Sequence, residues 1–206
     1  QLTDFGGLFV GDDTSSTINA LGGDDVIEGK GGADTIYGGS GSDTVEYGSS
    51  AAGVNVDLAR GTGLIADAEG DVYSSIENIR GSSFVDALYG DSGDNRISGR
   101  GGDDFLDGGA GSDNVTYLLS AQGVDVDLTR AAQLGGDAAG DRLIGIENLT
   151  GSNLADHLVG DSGANIIDGA GSADVIDGGH GNDVLEGAGG IDTVSFESWD
   201  QSGIFI

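Results

Sequence analysis

A nine-residue period constrains this chain more than any other feature. The stretch GGSGSDTVE, which begins at Gly38, has the form G-x-x-G-x-D-x-U-x, where U is a large aliphatic, and the form occurs in thirteen copies. The copies fill three uninterrupted blocks, residues 11–46, 81–116 and 151–195. The eighth place holds Ile18, Ile27, Ile36, Val45, Leu88, Ile97, Leu106, Val115, Leu158, Ile167, Ile176, Leu185 and Val194, aliphatic throughout. Glycine opens every copy except the one at Ala20. Glycine gives up more conformational freedom on ordering than any other residue. A chain with 42 glycines in 206 residues therefore needs a strong compensating source of stability.

The sixth place points to that source. It is Asp25, Asp34, Asp43, Asp86, Asp104, Asp113, Asp156, Asp174, Asp183 and Asp192, with Asn95, Asn165 and Ser16 in the remaining copies. Every one except Ser16 carries a carbonyl or carboxylate oxygen. Between the blocks lie two inserts, residues 47–80 and 117–150, which align without a gap and match at 17 positions. Both contain G-V-x-V-D-L, from Gly53 and from Gly123, and I-E-N, from Ile76 and from Ile146. The first motif alternates apolar and polar residues, as a half-buried strand does. A third insert begins at Phe196, and with no methionine the chain reads as a segment of a longer protein.

A nine-residue period with one aliphatic per copy fits a solenoid in which each copy is a glycine turn followed by a short strand. Two copies make a coil of about 18 residues. Residues 18 apart then stack at a strand spacing of about 4.8 Å, Ile27 on Val45, Leu88 on Leu106 and Ile167 on Leu185. The inserts are expected to continue the stack as roughly two further coils each, with Ile79 and Leu149 holding the eighth place before the next block. The same stacking lines up sixth-place carboxylates, Asp25 with Asp43 and Asp174 with Asp192, and like charges so placed repel.

The net charge is −29 and there is no cysteine, which excludes disulfides and thiolate metal sites and disfavours nucleic acid or an anionic membrane surface as a partner. No apolar run is long enough to span a membrane. Oxygen ligands suit a hard cation. Glycine turns that expose carbonyls beside carboxylates match the six to eight oxygens and flexible geometry of calcium better than the strict octahedron of magnesium.

GGSGSDTVE, GKGGADTIY, GGAGSDNVT and GGHGNDVLE resemble the nonapeptide of RTX (repeats-in-toxin) proteins, whose consensus is G-G-x-G-x-D-x-U-x. The resemblance covers the three blocks. It implies an all-β, right-handed parallel β-roll that is unfolded where calcium is scarce, passes a type I secretion channel and folds in external calcium. The ligands it implies are the ten sixth-place aspartates with Asn95 and Asn165, together with glycine-turn carbonyls, those of Gly23, Gly32, Gly41, Gly102, Gly111 and Gly181 among them. Ser16, Phe84 and Leu154 depart from the pattern, and the latter two are expected to plug the seams between insert and block.

The insert acids Asp57, Asp71 and Glu77, repeated as Asp127, Asp141 and Glu147, read as turn caps or solvated groups. His157 and His180 read as surface residues without a nucleophile motif beside them, and Trp199 as a seam residue. A repeating edge offers no pocket in which one carboxylate pair becomes catalytic. The chain therefore reads as a non-enzymatic, calcium-folded module, 1–206 in one solenoid, of a secreted or cell-surface bacterial protein. Its expected roles are stalk, adhesin segment or fibre, with calcium and further copies of itself, in a fibre or surface layer, as partners. The alternative is the accessory domain of a type I-secreted protease, lipase or alginate epimerase. A calcium-dependent glycan binder is a third reading, for which the sequence offers no aromatic platform.

Overall fold

A computed structural model describes residues 6–196; Trp199 and most of the expected third insert lie outside them. The strands are almost all three residues long, as a glycine turn every nine residues requires, and each block strand centres on the eighth-place aliphatic. That central side chain points inward and its two neighbours point out, the alternation inherent to a pleated strand. In Thr35–Tyr37, for example, Ile36 is buried between half-buried Thr35 and exposed Tyr37.

One face is a parallel sheet of nine strands among the described residues. Leu8–Val10, Val26–Glu28 and Thr44–Glu46 are followed by Asn78–Arg80, Arg96–Ser98 and Asn114–Thr116, then by Asn148–Thr150, Ile166–Asp168 and Val184–Glu186. Their central residues form an unbroken ladder, Phe9 on Ile27, Val45, Ile79, Ile97, Val115, Leu149, Ile167 and Leu185. The opposite face stacks Ile18 on Ile36, Leu88 on Leu106 and Leu158 on Ile176. The two columns meet in a core one aliphatic layer thick, in which Ile27, Ile36, Val45, Leu88, Ile97, Leu106, Val115, Leu158 and Ile167 are fully buried. The architecture is a parallel β-roll. Among the described residues no helix is long and apolar enough to cross a membrane.

The inserts differ from two stacked coils. On the nine-stranded face each adds a single strand, centred on Ile79 or Leu149, so that ladder does not break. On the other face the first insert runs ahead, and Asn55–Asp57 pairs with Ala87–Tyr89 of the next block. The chain then reverses through Thr62–Leu64, antiparallel to its neighbours, and returns as Val72–Ser74 on Thr35–Tyr37 of the previous block. The second insert repeats the excursion with Asp125–Asp127 on His157–Val159 and Arg142–Ile144 on Phe105–Asp107, and only an isolated bridge from Asp125 to Leu134 marks the reversal. An exchange of side chains accounts for part of this difference. A Cβ on Gly63 would collide with the Tyr73 hydroxyl. In the second insert the matching pair is Gln133 and Leu143, and Gln133 is fully buried with its Oε1 accepting from the Asp127 amide at 2.8 Å.

Ile79 is the test of continuity, because it is 1% exposed and joins Val45 of one block to Ile97 of the next. Ile79→Ala should destabilise the folded chain by about 2–5 kcal/mol, the range for a buried Ile-to-Ala truncation. Val72→Ala, on the outer side of its strand, should change stability by about 0.5 kcal/mol or less. Denaturant unfolding in the presence of calcium measures both.

Candidate metal centre

Each coil is tied to the next at its edge by a backbone amide and a carboxylate. The Asp25 amide donates to Asp43 Oδ1 at 2.9 Å, the Asp86 amide to Asp104 Oδ1 at 2.8 Å and the Asp156 amide to Asp174 Oδ1 at 2.9 Å. Asn95 donates in the same way to Asp113, Asn165 to Asp183 and Asp174 to Asp192. One carboxylate oxygen is therefore committed to holding the stack together. The other oxygen separates the sixth-place residues into groups.

In Asp25, Asp34, Asp43, Asp104, Asp113 and Asp174 the second oxygen, Oδ2, is buried and has no hydrogen-bond partner. These side chains are 0–1% exposed. A buried polar group left unpaired costs about 1–3 kcal/mol, and more when it is charged. Six such oxygens among the described residues carry a penalty that a bound cation would offset. The first-place glycine makes the room: a Cβ on Gly29 would lie 2.5 Å from Asp34 Oδ2, and one on Gly108 2.6 Å from Asp113 Oδ2.

The fourth place completes the turn. Gly23, Gly32, Gly41, Gly102, Gly111 and Gly181 all have positive φ, from 101° to 143°. At Gly41 an added Cβ would also collide with the Gly23 carbonyl oxygen of the preceding coil, so conformation and space both require glycine there. A second positive φ sits at the second place, on Leu21, Lys30, Arg100 and Ala170 as well as on glycines such as Gly39 and Gly109. The nonglycine residues there concealed this feature in the sequence. Alternate left-handed residues turn successive peptide groups toward the edge, the geometry of backbone ion-binding concavities. Among the described residues no three His, Cys, Asp or Glu side chains converge as a metal cluster, so a cation at this edge would draw heavily on main-chain oxygens.

Four of the sixth-place residues are satisfied by protein groups instead. Asp86 Oδ2 accepts from the Ser82 amide at 2.7 Å and its Oδ1 from the Ser82 hydroxyl at 2.8 Å. Asp156 is capped by Ser152 in the same way. Asn95 Oδ1 accepts from the Asp91 amide while its Nδ2 donates to the Glu77 carbonyl, and Asn165 repeats this with Asp161 and Glu147. Asp183 and Asp192 are half-buried in the last described turns. Phe84 and Leu154 do not plug the seams: they are 48% and 41% exposed. Their amides donate to the Ser82 and Ser152 hydroxyls, which braces these turns with the fourth-place side chain facing out.

The inserts contribute carboxylates to the same columns, which their sequence position did not reveal. The Asp34 amide donates to Asp71 Oδ1 at 2.8 Å and the Asp104 amide to Asp141 Oδ1 at 2.9 Å. The Asp43 and Asp113 amides donate to Glu77 Oε2 and Glu147 Oε2, both at 2.9 Å. Asp71 and Asp141 are buried rather than solvated, and their Oδ2 atoms accept from the Tyr47 and Tyr117 hydroxyls at 2.7 and 2.9 Å. Asp57 and Asp127 are turn caps, accepting from the Arg60 and Thr129 amides. The recurrence of I-E-N in both inserts was the available signal for Glu77 and Glu147. His157 is partly exposed and lies 3.1 Å from Asp125.

Burial makes these carboxyls reluctant to ionise. It raises Asp34, Asp43, Asp113 and Asp174 above their ordinary value, and neighbouring carboxylates add to the effect, Asp25 on Asp43 and Asp156 and Asp192 on Asp174. Asp104 is pushed up to about 7, by burial first and then by Asp86, Asp103 and Asp137. Asp141 is pushed up to about 8 by burial and the charge of Asp104. Either a proton or a cation would relieve this strain.

The RTX calcium-binding nonapeptide repeat family matches residues 10–49, 80–115, 150–185 and 159–194, more than half of the chain. No curated individual protein matches it. The repeats matched are those whose turns carry the orphaned carboxylate oxygens, and the ion that the family binds, calcium, fits a site of buried carboxylates and turned-out carbonyls. The chain belongs to the RTX calcium-binding repeat family.

Proposed function

We propose that the chain is a calcium-folded structural module, a stalk or adhesin segment of a secreted bacterial protein, whose stiffness is switched on by calcium. The observation that carries this reading is the set of six buried, unpartnered Oδ2 atoms along the two edges. Proteins with these repeats bind calcium and are typically exported by type I secretion. In the calcium-poor interior of a cell the carboxylate columns repel and oppose a core only one layer thick. Outside, calcium neutralises the columns and binding energy becomes folding energy. The ladder that passes both inserts without a break supports a rod-like role, because a continuous stack transmits force and lengthens by adding further units.

The residues proposed to hold calcium are Asp25, Asp34, Asp43, Asp104, Asp113 and Asp174, with carbonyls of the glycine turns beside them. Asp86, Asp156, Asn95 and Asn165 hold their turns through hydrogen bonds within the protein, and Asp183 and Asp192 accept the amides of the preceding coil.

Circular dichroism tests the switch: coil is expected in chelator and strand after calcium is added, and a chain equally rich in strand in both would refute it. Asp174→Asn should raise the calcium midpoint on the order of tenfold, because calcium affinity follows the charge of the ligand set. Asn165→Ala should lower stability at saturating calcium and leave the number of bound ions unchanged.

The raised carboxyls add a pH dependence. In the metal-free chain the folded pKa of Asp104, about 7, exceeds its unfolded value of 3.8. Stability from such a group is fully present below the unfolded value and is lost as pH rises through the folded one. Without calcium the fold should therefore be most persistent near pH 4 and weaken between about pH 4 and 8. Saturating calcium should remove that loss, as read by strand content across a pH titration with and without chelator.

A further inference from the structure

The two insert glutamates occupy a position that invites a role of their own. In the blocks, six residues such as 38–43 join one strand to the next, and the sixth carries the carboxylate that receives the amide of the preceding coil. In the first insert residues 75–77 alone join Val72–Ser74 to Asn78–Arg80, and in the second residues 145–147 join Arg142–Ile144 to Asn148–Thr150. The shorter link ends in glutamate, and its extra methylene lets Oε2 of Glu77 or Glu147 reach the amide of Asp43 or Asp113 at 2.9 Å. Residues Ser75 and Gly145, two before each glutamate, have positive φ of 54° and 57°. They match the fourth-place glycines, which stand two before each aspartate. The short link thus reproduces both the carboxylate and the backbone twist of a repeat turn with a different sequence.

Oxygens converge at these links. The space that a Cβ on Gly38 would take is bounded by the Ser75 carbonyl oxygen and by Asp43 Oδ2, the latter at 2.5 Å. The equivalent space at Gly108 is bounded by the Gly145 carbonyl oxygen and by Asp113 Oδ2 at 2.6 Å. Asp43 and Asp113 are fully buried, and in both Oδ2 lacks any partner. Among the described residues none of Asp43, Glu77, Asp113 and Glu147 forms an ion pair with lysine or arginine. Asp71 and Asp141 stand at the equivalent step of the opposite edge, where a tyrosine hydroxyl already engages the second oxygen. Among the described residues no such hydroxyl is bonded to Glu77 or Glu147.

We infer that each insert completes a calcium site of mixed origin, in which Glu77 joins Asp43 and the Ser75 carbonyl, and Glu147 joins Asp113 and the Gly145 carbonyl. These sites lie outside the nonapeptide pattern, and they fasten each insert to the end of the block before it. The inference rests on the calcium reading above and extends it to residues that the repeat does not contain.

Calcium stoichiometry by equilibrium dialysis or calorimetry tests it on the whole chain. Glu77→Gln keeps an acceptor for the Asp43 amide and removes the charge, as does Glu147→Gln for Asp113. Each is expected to lose or markedly weaken one bound ion, and the double variant two. Asp57→Asn, at an insert acid that caps a turn and pairs with Arg60, should keep the wild-type number. A double variant with the same ions and the same calcium midpoint as wild type would overturn the inference and leave the calcium reading intact. A wild-type chain that binds no calcium would overturn both. A crystal of the wild-type chain loaded with terbium gives an answer independent of whether the variants fold. Anomalous density beside Glu77 and Glu147 is expected, and density confined to the block turns would refute the sites.

Discussion

The bond from a backbone amide of one coil to a carboxylate of the next governs the rest of this structure. It needs an acid at the same place in successive turns, and so it builds columns of like charge into two buried edges. The donor satisfies one oxygen of each carboxylate and leaves the other to be satisfied separately. In Asp25, Asp34, Asp43, Asp104, Asp113 and Asp174 no protein group does so. A thicker hydrophobic core could tolerate several such defects, but here each coil buries only about two aliphatic side chains. Burying one of these contributes about 1.5–3 kcal/mol, which is comparable to the penalty of one unpaired buried oxygen. The balance between folded and unfolded chain therefore turns on what occupies the edges.

The turns divide the labour along the array. In the second and third blocks the first two turns are closed by their own side chains, Ser82 on Asp86 with Asp91 on Asn95, and Ser152 on Asp156 with Asp161 on Asn165. The next turns replace those polar side chains with positive-φ residues and leave the carboxylate oxygen of Asp104, Asp113 or Asp174 bare. An insert's end thus meets a turn that holds itself together, and the turns with an unpartnered carboxylate oxygen come after it in the block. The cations are too few to do the same work. Arg80 and Arg100 both serve Glu46 on the outer face of the sheet, and Arg60 and Arg130 serve insert aspartates. None reaches the buried columns.

Much of this could be read from the residues alone. The aliphatic at the eighth place repeats with the period of the coil, so the stacking of Ile27 on Val45, Leu88 on Leu106 and Ile167 on Leu185 and the columns of aspartate within each block follow from spacing, whereas the direct steps from Val45 to Ile79 and from Val115 to Leu149 do not. What spacing does not distinguish is whether a sixth-place oxygen is capped. Asp86 and Asp104 look alike in sequence, and their difference lies in Ser82, four residues upstream, whose amide and hydroxyl fold back onto the carboxylate. The reversal within the insert was equally hidden. Thr62–Leu64 is too short to show any alternation, and its antiparallel placement depends on two strands of the same insert that dock on two different blocks. Glu77 and Glu147 escaped because a shorter link and a longer side chain reach the place that a longer link and an aspartate reach elsewhere.

The inserts resolve a problem that pure repetition would leave. A column of identical turns has no internal reason to stop or to change, and each added turn adds one more negative charge to the edge. The excursion breaks one edge at Asp71 and Asp141, where a buried tyrosine hydroxyl engages the last carboxylate and closes the column with a neutral donor. Burial keeps those phenols protonated, raising them well above their ordinary range, so the closure does not itself add charge. The other edge stays stacked by a different bond: Glu77 and Glu147 receive the amides of Asp43 and Asp113, their own amides return to the Asp43 and Asp113 carbonyls, and Asn95 and Asn165 stitch the following turn to the glutamate carbonyl. Each unit therefore ends its charge column on one side and continues its backbone ladder on the other. That asymmetry lets a highly acidic chain extend through successive units without accumulating an uninterrupted line of buried charge along both edges.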